Sequence, residues 1–229
     1  MRPNSVAAAD TLVIVTDQQG QKLAVARAAA ELVQDGMTVG LGTGSTVELL
    51  LPALAERGLS IRCVATSPRT AAVAGALGMN IEPFEGFERL DIAIDGADQV
   101  SPDGWLVKGG GAAHTREKLI EAAADRFVLI ADASKLVEAI GAPIPLEIMA
   151  FGVASVLRAL SPSALRHVPR SPDGGIIADY LGPVQDPAML AARFDSTPGV
   201  VEHGLFPPGM VSEMLIGLPD GSVERREVG

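Results

Sequence analysis

Short apolar runs at residues 37–41, 60–65, 90–94 and 127–131 alternate with segments of helical periodicity, and this alternation most limits the fold. Runs this short, separated by amphipathic helices, imply parallel strands with both faces covered. Leu23, Ala26, Ala30 and Val33 form one stripe at i, i+3, i+7 and i+10, so a helix is expected over 19–34, stopped at Asp35-Gly36. Further helices are expected from Ser45 to about Arg57, over 68–77 before Gly78, and over 112–124. A short strand is expected at 105–107, and the first 16 residues read as a loose extension. Aromatic residues make up only 3% of the chain against 48% hydrophobic, so Ala, Val, Leu and Ile must fill the core, which suits such a sheet.

The composition shifts at Gly141-Ala142-Pro143-Ile144-Pro145. Beyond it the pattern predicts a strand at 146–151, a helix at 152–160, and strands at 165–168 and 175–180 around Pro172-Asp173-Gly174-Gly175. A helix from Asp186-Pro187 and a strand near 199–203 complete a β-α-β-β-α-β order, the split ferredoxin-like unit, and a further strand is expected near 211–216. The expected fold class is α/β. A Rossmann-like, mainly parallel sheet flanked by helices is formed by 1–140 plus 213–229, with a second, smaller ferredoxin-like α+β domain over 141–212.

A net charge of −10 opposes binding to nucleic acid or anionic membrane surfaces, and the scarcity of aromatics removes the stacking platforms of single-strand binders. Cys63, the only cysteine, lies in an apolar run and reads as a buried, inert thiol. His114, His167 and His203 are isolated from one another, so no metal site is expected. Without an 18-residue apolar run or a signal-peptide layout at the start, the chain reads as a cytoplasmic protein.

In parallel α/β sheets ligands collect at the carboxyl ends of the strands. Thr43, Thr66, Asp95 and Asp132 each follow an expected strand and would share that edge. Gly40-Leu41-Gly42-Thr43-Gly44-Ser45-Thr46 joins a strand to a helix. Its glycines and hydroxyls suit an anion held on backbone N–H groups, or else a tight turn with Ser45 as a plain N-cap. The dinucleotide fingerprint fails because Ser45 or Val47 stands where its third glycine belongs, and the P-loop fails for want of a lysine. Asp95-Gly96-Ala97-Asp98 either aims two carboxylates at one pocket or forms a solvated turn. Lys108-Gly109-Gly110-Gly111 leads straight into a helix and places bare N–H groups and a cation where an oxyanion could sit. Taken alone, Glu117 reads as an exposed helix residue, His114 as a packing or surface residue, and Lys135 as a cation for a phosphate or a surface lysine.

Together the motifs resemble ribose-5-phosphate isomerase, type A. The likeness rests on Gly42–Thr46, Asp95–Asp98, Lys108–Ala113 continuing through Thr115-Arg116-Glu117-Lys118, and Ala131–Lys135, in that order and spacing, and it spans roughly residues 17–222. The resemblance implies interconversion of D-ribose 5-phosphate and D-ribulose 5-phosphate through a cis-enediolate, with no metal and no organic cofactor, by a homodimer or homotetramer. It implies that Glu117 is the proton-transferring base, that Asp95 assists ring opening, and that Lys108 with Gly109, Gly110 and Gly111 stabilises the enediolate. Substrate contacts would come from Thr43, Gly44, Ser45, Thr46, Gly96, Ala97 and Asp98, with Lys135 and Lys22 near the phosphate. The chain departs from the family pattern at Gln99, where glutamate is usual, at His114, where a small apolar residue is usual, and over 207–213. A sugar-phosphate-sensing domain of a transcription regulator is the alternative. The acidic charge and the short stretch before residue 17 oppose it.

Overall fold

The computed structural model describes residues 6–228. In chain order, the first part comprises α1 (Val6–Ala30), β1 (Thr38–Leu41), α2 (Val47–Glu56), β2 (Arg62–Ala65), α3 (Pro68–Ala76), β3 (Asn80–Ile81), β4 (Ile92–Asp95), β5 (Gln99–Val100), β6 (Leu106–Val107), α4 (His114–Ala122) and β7 (Phe127–Asp132). There follow β8 (Ile144–Ile148), α5 (Val153–Ala159), β9 (Ser163–Leu165), β10 (Ile176–Tyr180), α6 (Pro187–Asp195), β11 (Val200–His203), β12 (Leu205–Phe206), β13 (Glu213–Gly217) and β14 (Val223–Glu227).

Seven strands form one sheet in the order β14-β13-β7-β4-β1-β2-β3, parallel throughout except for the β13–β14 pair. Every residue of β4 and β7 is buried, as expected for central parallel strands covered on both faces. The pleat sends alternate side chains to opposite layers. Ile92, Ile94, Val128 and Ile130 pack with α1 and α2, while Ala93, Phe127, Leu129 and Ala131 pack with Ile120 of α4 and with Leu106 and Phe206 of a small antiparallel sheet, β12-β6-β5. The register places Leu41 beside Ala65 and Ile94, Asp95 beside Leu129, and Asp132 beside Gly217. The carboxyl ends of β1, β2, β4 and β7 therefore share one edge.

The four-stranded antiparallel sheet has the order β11-β8-β10-β9 and carries α5 and α6, whose Val156, Leu190 and Phe194 join its core. Numbered within the unit, the order is 4-1-3-2, the ferredoxin-like arrangement. Val107, Ile140 and Leu205 belong to the same apolar cluster and connect this layer to the β12-β6-β5 sheet.

Several expected boundaries move, each for a local reason. Helix α1 begins at Val6 rather than 19: no proline or glycine interrupts the Ala-rich stretch before Gly20, so the reading of 1–16 as a loose extension fails from Val6 onward, and residues 1–5 lie outside the described residues. The same helix stops at Ala30, and the Arg57 guanidinium donates to the carbonyls of Ala30 and Val33 beyond that point. Helix α4 starts at His114 rather than 112 because Ala112 is left-handed, with φ 59°. Strand β8 covers 144–148 rather than 146–151, since its pairing with β10 runs from Ile144 opposite Tyr180 to Ile148 opposite Ile176. Strand β9 ends at Leu165 rather than Val168.

Candidate active site

The turn after β1 is built on a glycine that no other residue can replace. A Cβ on Gly42 would lie 1.9 Å from Asp95 Cγ. That close approach lets the Thr43 N–H donate to Asp95 Oδ1 at 3.0 Å. The Thr43 hydroxyl meets those of Thr66 (2.7 Å) and Thr70 (3.2 Å), and Thr70 Oγ1 donates to the Gly42 carbonyl at 2.8 Å, so the turn is braced from β2 and α3. Helix α2 begins at Val47, not at Ser45; its N-cap is Thr46, and no side chain caps its first turn. Backbone carbonyls take up N–H groups of that turn instead, Glu48 N–H donating to Gly44 (2.9 Å) and Leu49 N–H to Thr46 (3.1 Å). Ser45 instead accepts a hydrogen bond from Lys22 Nζ at 3.0 Å, with Asp132 Oδ2 4.0 Å from the same ammonium.

The second wall follows β6. Gly109 takes φ 102°, and a Cβ there would lie 2.6 Å from His114 Nδ1. The Gly110 N–H donates to Asp98 Oδ2 at 2.7 Å, while Asp98 N–H donates to the Val107 carbonyl at 2.7 Å. From the four-stranded sheet, Arg166 Nη1 donates to the carbonyls of Gly109 (2.8 Å) and Gly110 (3.2 Å). His114 is fully buried, and burial pushes its imidazole down to about 3, so it packs beneath the glycine run as a neutral ring. Gln99 clasps Gly141 through both amide atoms, Nε2 donating to its carbonyl (2.8 Å) and Oε1 accepting from its N–H (2.9 Å). A carboxylate at that position could accept but not donate.

Between the walls sits a cluster of four ionisable groups, Asp95, Lys108, Glu117 and Glu121, each no more than 3% exposed. The Lys108 ammonium donates to the Gly96 carbonyl at 2.7 Å and lies 2.7 Å from Asp95 Oδ2, 2.9 Å from Glu121 Oε1 and 3.5 Å from Glu117 Oε2. One cation faces three carboxyl groups, so full ionisation would leave two uncompensated negative charges out of water, a costly state. The titrations move accordingly. Burial pushes Glu117 up to about 8 against the pull of Lys108, with Asp95 and Asp98 adding repulsion. Burial also holds Glu121 well above the usual carboxylate range. For Lys108, burial works against the charge, but the surrounding carboxylates outweigh it and the ammonium is held above its ordinary value. Burial pushes the Cys63 thiol up to about 12, in keeping with an inert core residue.

These walls enclose a cavity of about 100 Å³. Thr43–Thr46, Gly96–Asp98, Lys108–Gly111, Glu117 and Lys135 line it, with Val47. The structure thus brings most of the expected residues to one place. Asp95 and Lys22 are not among the lining residues; Asp95 lies behind Lys108 and Lys22 behind Ser45. Glu117, an exposed helix residue on its own sequence evidence, faces inward. Sequence reasoning missed Glu121. Its signal was its spacing: two glutamates one turn apart repel on an exposed helix face, so Glu117 and Glu121 at i and i+4 needed a shared cation. His203 is also less isolated than expected, since Asp195 and Glu202 gather beside it, although the Lys118 ammonium already pairs with Glu202.

With the geometry in place, the comparisons align with it. The family model described as ribose 5-phosphate isomerase A (phosphoriboisomerase A) matches residues 62–221, and a model of the DeoR C-terminal sensor domain matches 17–82. The ribose-5-phosphate isomerase A of Caulobacter vibrioides is 45% identical over 219 residues, covering 89% of this chain and 96% of the relative. The solved ribose 5-phosphate isomerase A of Methanocaldococcus jannaschii superposes with a TM-score of 0.86 at 33% identity, over 92% of this chain and 99% of that one. A D-ribose-5-phosphate isomerase solved in complex with phospho-erythronic acid gives 0.86 at 30% identity, over 91% and 98%.

Proposed function

The chain belongs to the ribose 5-phosphate isomerase A family and interconverts D-ribose 5-phosphate and D-ribulose 5-phosphate, and we propose that Glu117 moves the proton between C2 and C1. The observation that carries this reading is a carboxyl of raised basicity lining the same cavity as a buried ammonium and a run of glycine amides. A base is most effective when its pKa lies near the working pH, and a positioned one contributes about 10²–10⁴-fold. Lys108 and the amides of Gly109 and Gly111 stabilise the enediolate oxygen that forms as the proton leaves, the Gly110 N–H being held by Asp98. Asp95 acts in ring opening through Lys108, whose ammonium it touches at 2.7 Å, and Asp98 holds substrate hydroxyls.

The phosphate occupies the far end, on the amides of Gly44–Thr46 and the hydroxyls of Ser45 and Thr46, with Lys135 in the wall and Lys22 held behind Ser45. Binding this remote dianion supplies energy for orienting the reacting carbons. The relative solved with phospho-erythronic acid also holds a phosphorylated ligand, which supports the assignment of an anionic end. The sensor-domain match ends at residue 82, before Asp95, Lys108 and Glu117, and so leaves out the acid–base half of the site. The same reading includes a division into 1–140 plus 213–229 and 141–212, a homodimeric or homotetrameric assembly, and a cytoplasmic location. Among the described residues no helix is long and apolar enough to cross a membrane.

The test is ribulose 5-phosphate formation from ribose 5-phosphate in EDTA, by wild type and by Glu117→Gln. Wild type is expected to turn over. The variant should lose at least about 100-fold in kcat while still binding substrate. An inactive wild type, or a variant with near-normal turnover, would contradict the assignment.

A further inference from the structure

Glu121 is the one member of the buried cluster without a place in the mechanism above. It is buried as deeply as Glu117, on the same helix one turn further on, and does not line the cavity. Among the described residues Lys108 is its one polar partner. Yet Glu121 Oε1 stands closer to Lys108 Nζ, at 2.9 Å, than Glu117 Oε2 does, at 3.5 Å.

An ammonium carries three N–H groups. The near positions around Lys108 Nζ are taken by the Gly96 carbonyl, Asp95 Oδ2 and Glu121 Oε1, all within 2.9 Å. Glu117 is left at the outer distance. We propose that Glu121 is a positioning residue: as a neutral acid it occupies the third near position on Lys108, keeps Glu117 out of a tight ion pair, and thereby leaves Glu117 basic enough to take the substrate proton. This deepens the assignment of Glu117 as the base and rests on it.

The surroundings favour the neutral form. Asp95 is the carboxylate with independent support, since its Oδ1 accepts from the N–H groups of Thr43 (3.0 Å) and Gly96 (2.6 Å). Glu121 has Lys108 as its one donor and no backbone N–H, and burying it as a carboxylate costs more than burying it as the neutral acid. Asp95 and Glu117 face it with like charge, and only Lys108 opposes them at contact distance. The other charges on or near α4 are committed elsewhere: Lys118 to Glu202 of β11, and Glu147 of β8 to Thr115 and Ser171. His203 of β11 is kept neutral by burial, which pushes it down to about 4. Burial accordingly pushes the Glu121 carboxyl well above its ordinary value, toward the neutral form.

The experiment is the pH dependence of kcat/KM and kcat for wild type, Glu121→Leu and Glu121→Gln. In Glu121→Leu the third N–H of Lys108 turns to Glu117. The paired carboxylate is then favoured, and the acid limb should move down by about one pH unit. The weaker base should lower kcat by about ten-fold with KM within about two-fold. Glu121→Gln keeps a neutral oxygen beside Lys108 and should restore both the limb and kcat. A purely packing role would not move the limb. An acid limb unmoved in Glu121→Leu overturns the proposal, and so does a limb that shifts equally in Glu121→Gln, which would mean that the native residue is ionised.

Should Glu121→Leu fail to fold, infrared spectroscopy decides on the alkaline side of the limb. The carbonyl band of a protonated carboxylic acid should be present in wild type and lost in Glu121→Gln, and a band unchanged between them overturns the proposal. Full activity in Glu117→Gln would instead show that the underlying assignment of the base is wrong. A dead Glu117→Gln beside an unmoved Glu121→Leu limb would sink only the role of Glu121.

Discussion

The Thr115 hydroxyl donates to Glu147 Oε2 at 2.5 Å, joining helix α4 to the centre of the four-stranded sheet. Ser171, in the turn between β9 and β10, donates to the other oxygen of the same carboxylate. On the same stretch of α4, Arg116 makes a bidentate pair with Asp173 (2.7 Å to each oxygen) and Lys118 pairs with Glu202. Residues 115, 116 and 118 therefore grip one sheet while Glu117 and Glu121 face the buried lysine at the edge of the other. The helix that presents Glu117 is located from both sides.

Glu147→Ala should remove that grip at its buried end. Thr115 and Ser171 would each lose their acceptor, and leaving such groups unpaired costs about 1–3 kcal/mol. A lower midpoint in urea is expected, together with a several-fold loss in kcat and a smaller change in KM. Unchanged stability and turnover would show that the contact positions nothing.

The acid limb of kcat/KM should lie near pH 8. Glu117 must be ionised to accept a proton, and its raised value means that activity grows as pH rises through about 8 and is lost below it. Histidines do not compete for that assignment, because burial pushes His114 down to about 3 and His203 to about 4. A limb in the ordinary glutamate range would contradict the buried-base description.

Gly42→Ala should be among the most damaging single-methyl additions in the chain. The new carbon would lie 1.9 Å from Asp95 Cγ, so either the turn or Asp95 must move. Overpacking typically costs about 1–3 kcal/mol, and here it would also displace the partner of Lys108. Thermal unfolding and kcat should both suffer, whereas Gly36→Ala, with open space around its Cβ but φ 84°, should cost stability alone.

Lys135→Ala should raise KM far more than it lowers kcat, because the residue lines the cavity but belongs to the one-turn helix after β7, away from the buried cluster. Inhibition by inorganic phosphate should weaken in parallel. A drop confined to kcat would place Lys135 at the reacting carbons instead.

Much of this was legible in the chain because burial and periodicity coincide. β1, β4 and β7 are apolar runs since both faces are covered, and the stripe along α1 and just past its end is visible since Ala26, Ala30 and Val33 pack inward. Elements supported by pairing alone left little trace. β14 reads Val-Glu-Arg-Arg-Glu, an edge strand whose charges meet solvent and one another, and it went unnoticed. β3, β5 and β12 are two residues each, too short for any alternation to register. The glycine-rich turns and the Asp-Gly-Ala-Asp stretch announced a pocket through residue type. The burial of Glu117 and Glu121 did not show, because a helix with Thr115, Arg116 and Lys118 among them looks polar all round. Those polar neighbours are satisfied by the second sheet, a partner that sequence periodicity cannot reveal.

Arg166 stands outside the cavity, yet its guanidinium rests on the carbonyl oxygens of Gly109 and Gly110. Those carbonyls belong to the peptide units whose N–H groups are carried by Gly110 and Gly111. A cation at the oxygen end of a peptide draws electron density along the plane and makes the hydrogen at the other end a better donor, as in any polarised chain of hydrogen bonds. The four-stranded sheet, none of whose residues lines the cavity, thereby reaches its glycine wall electronically. Of the two N–H groups so strengthened, that of Gly110 is held by Asp98, and that of Gly111 remains on the cavity wall.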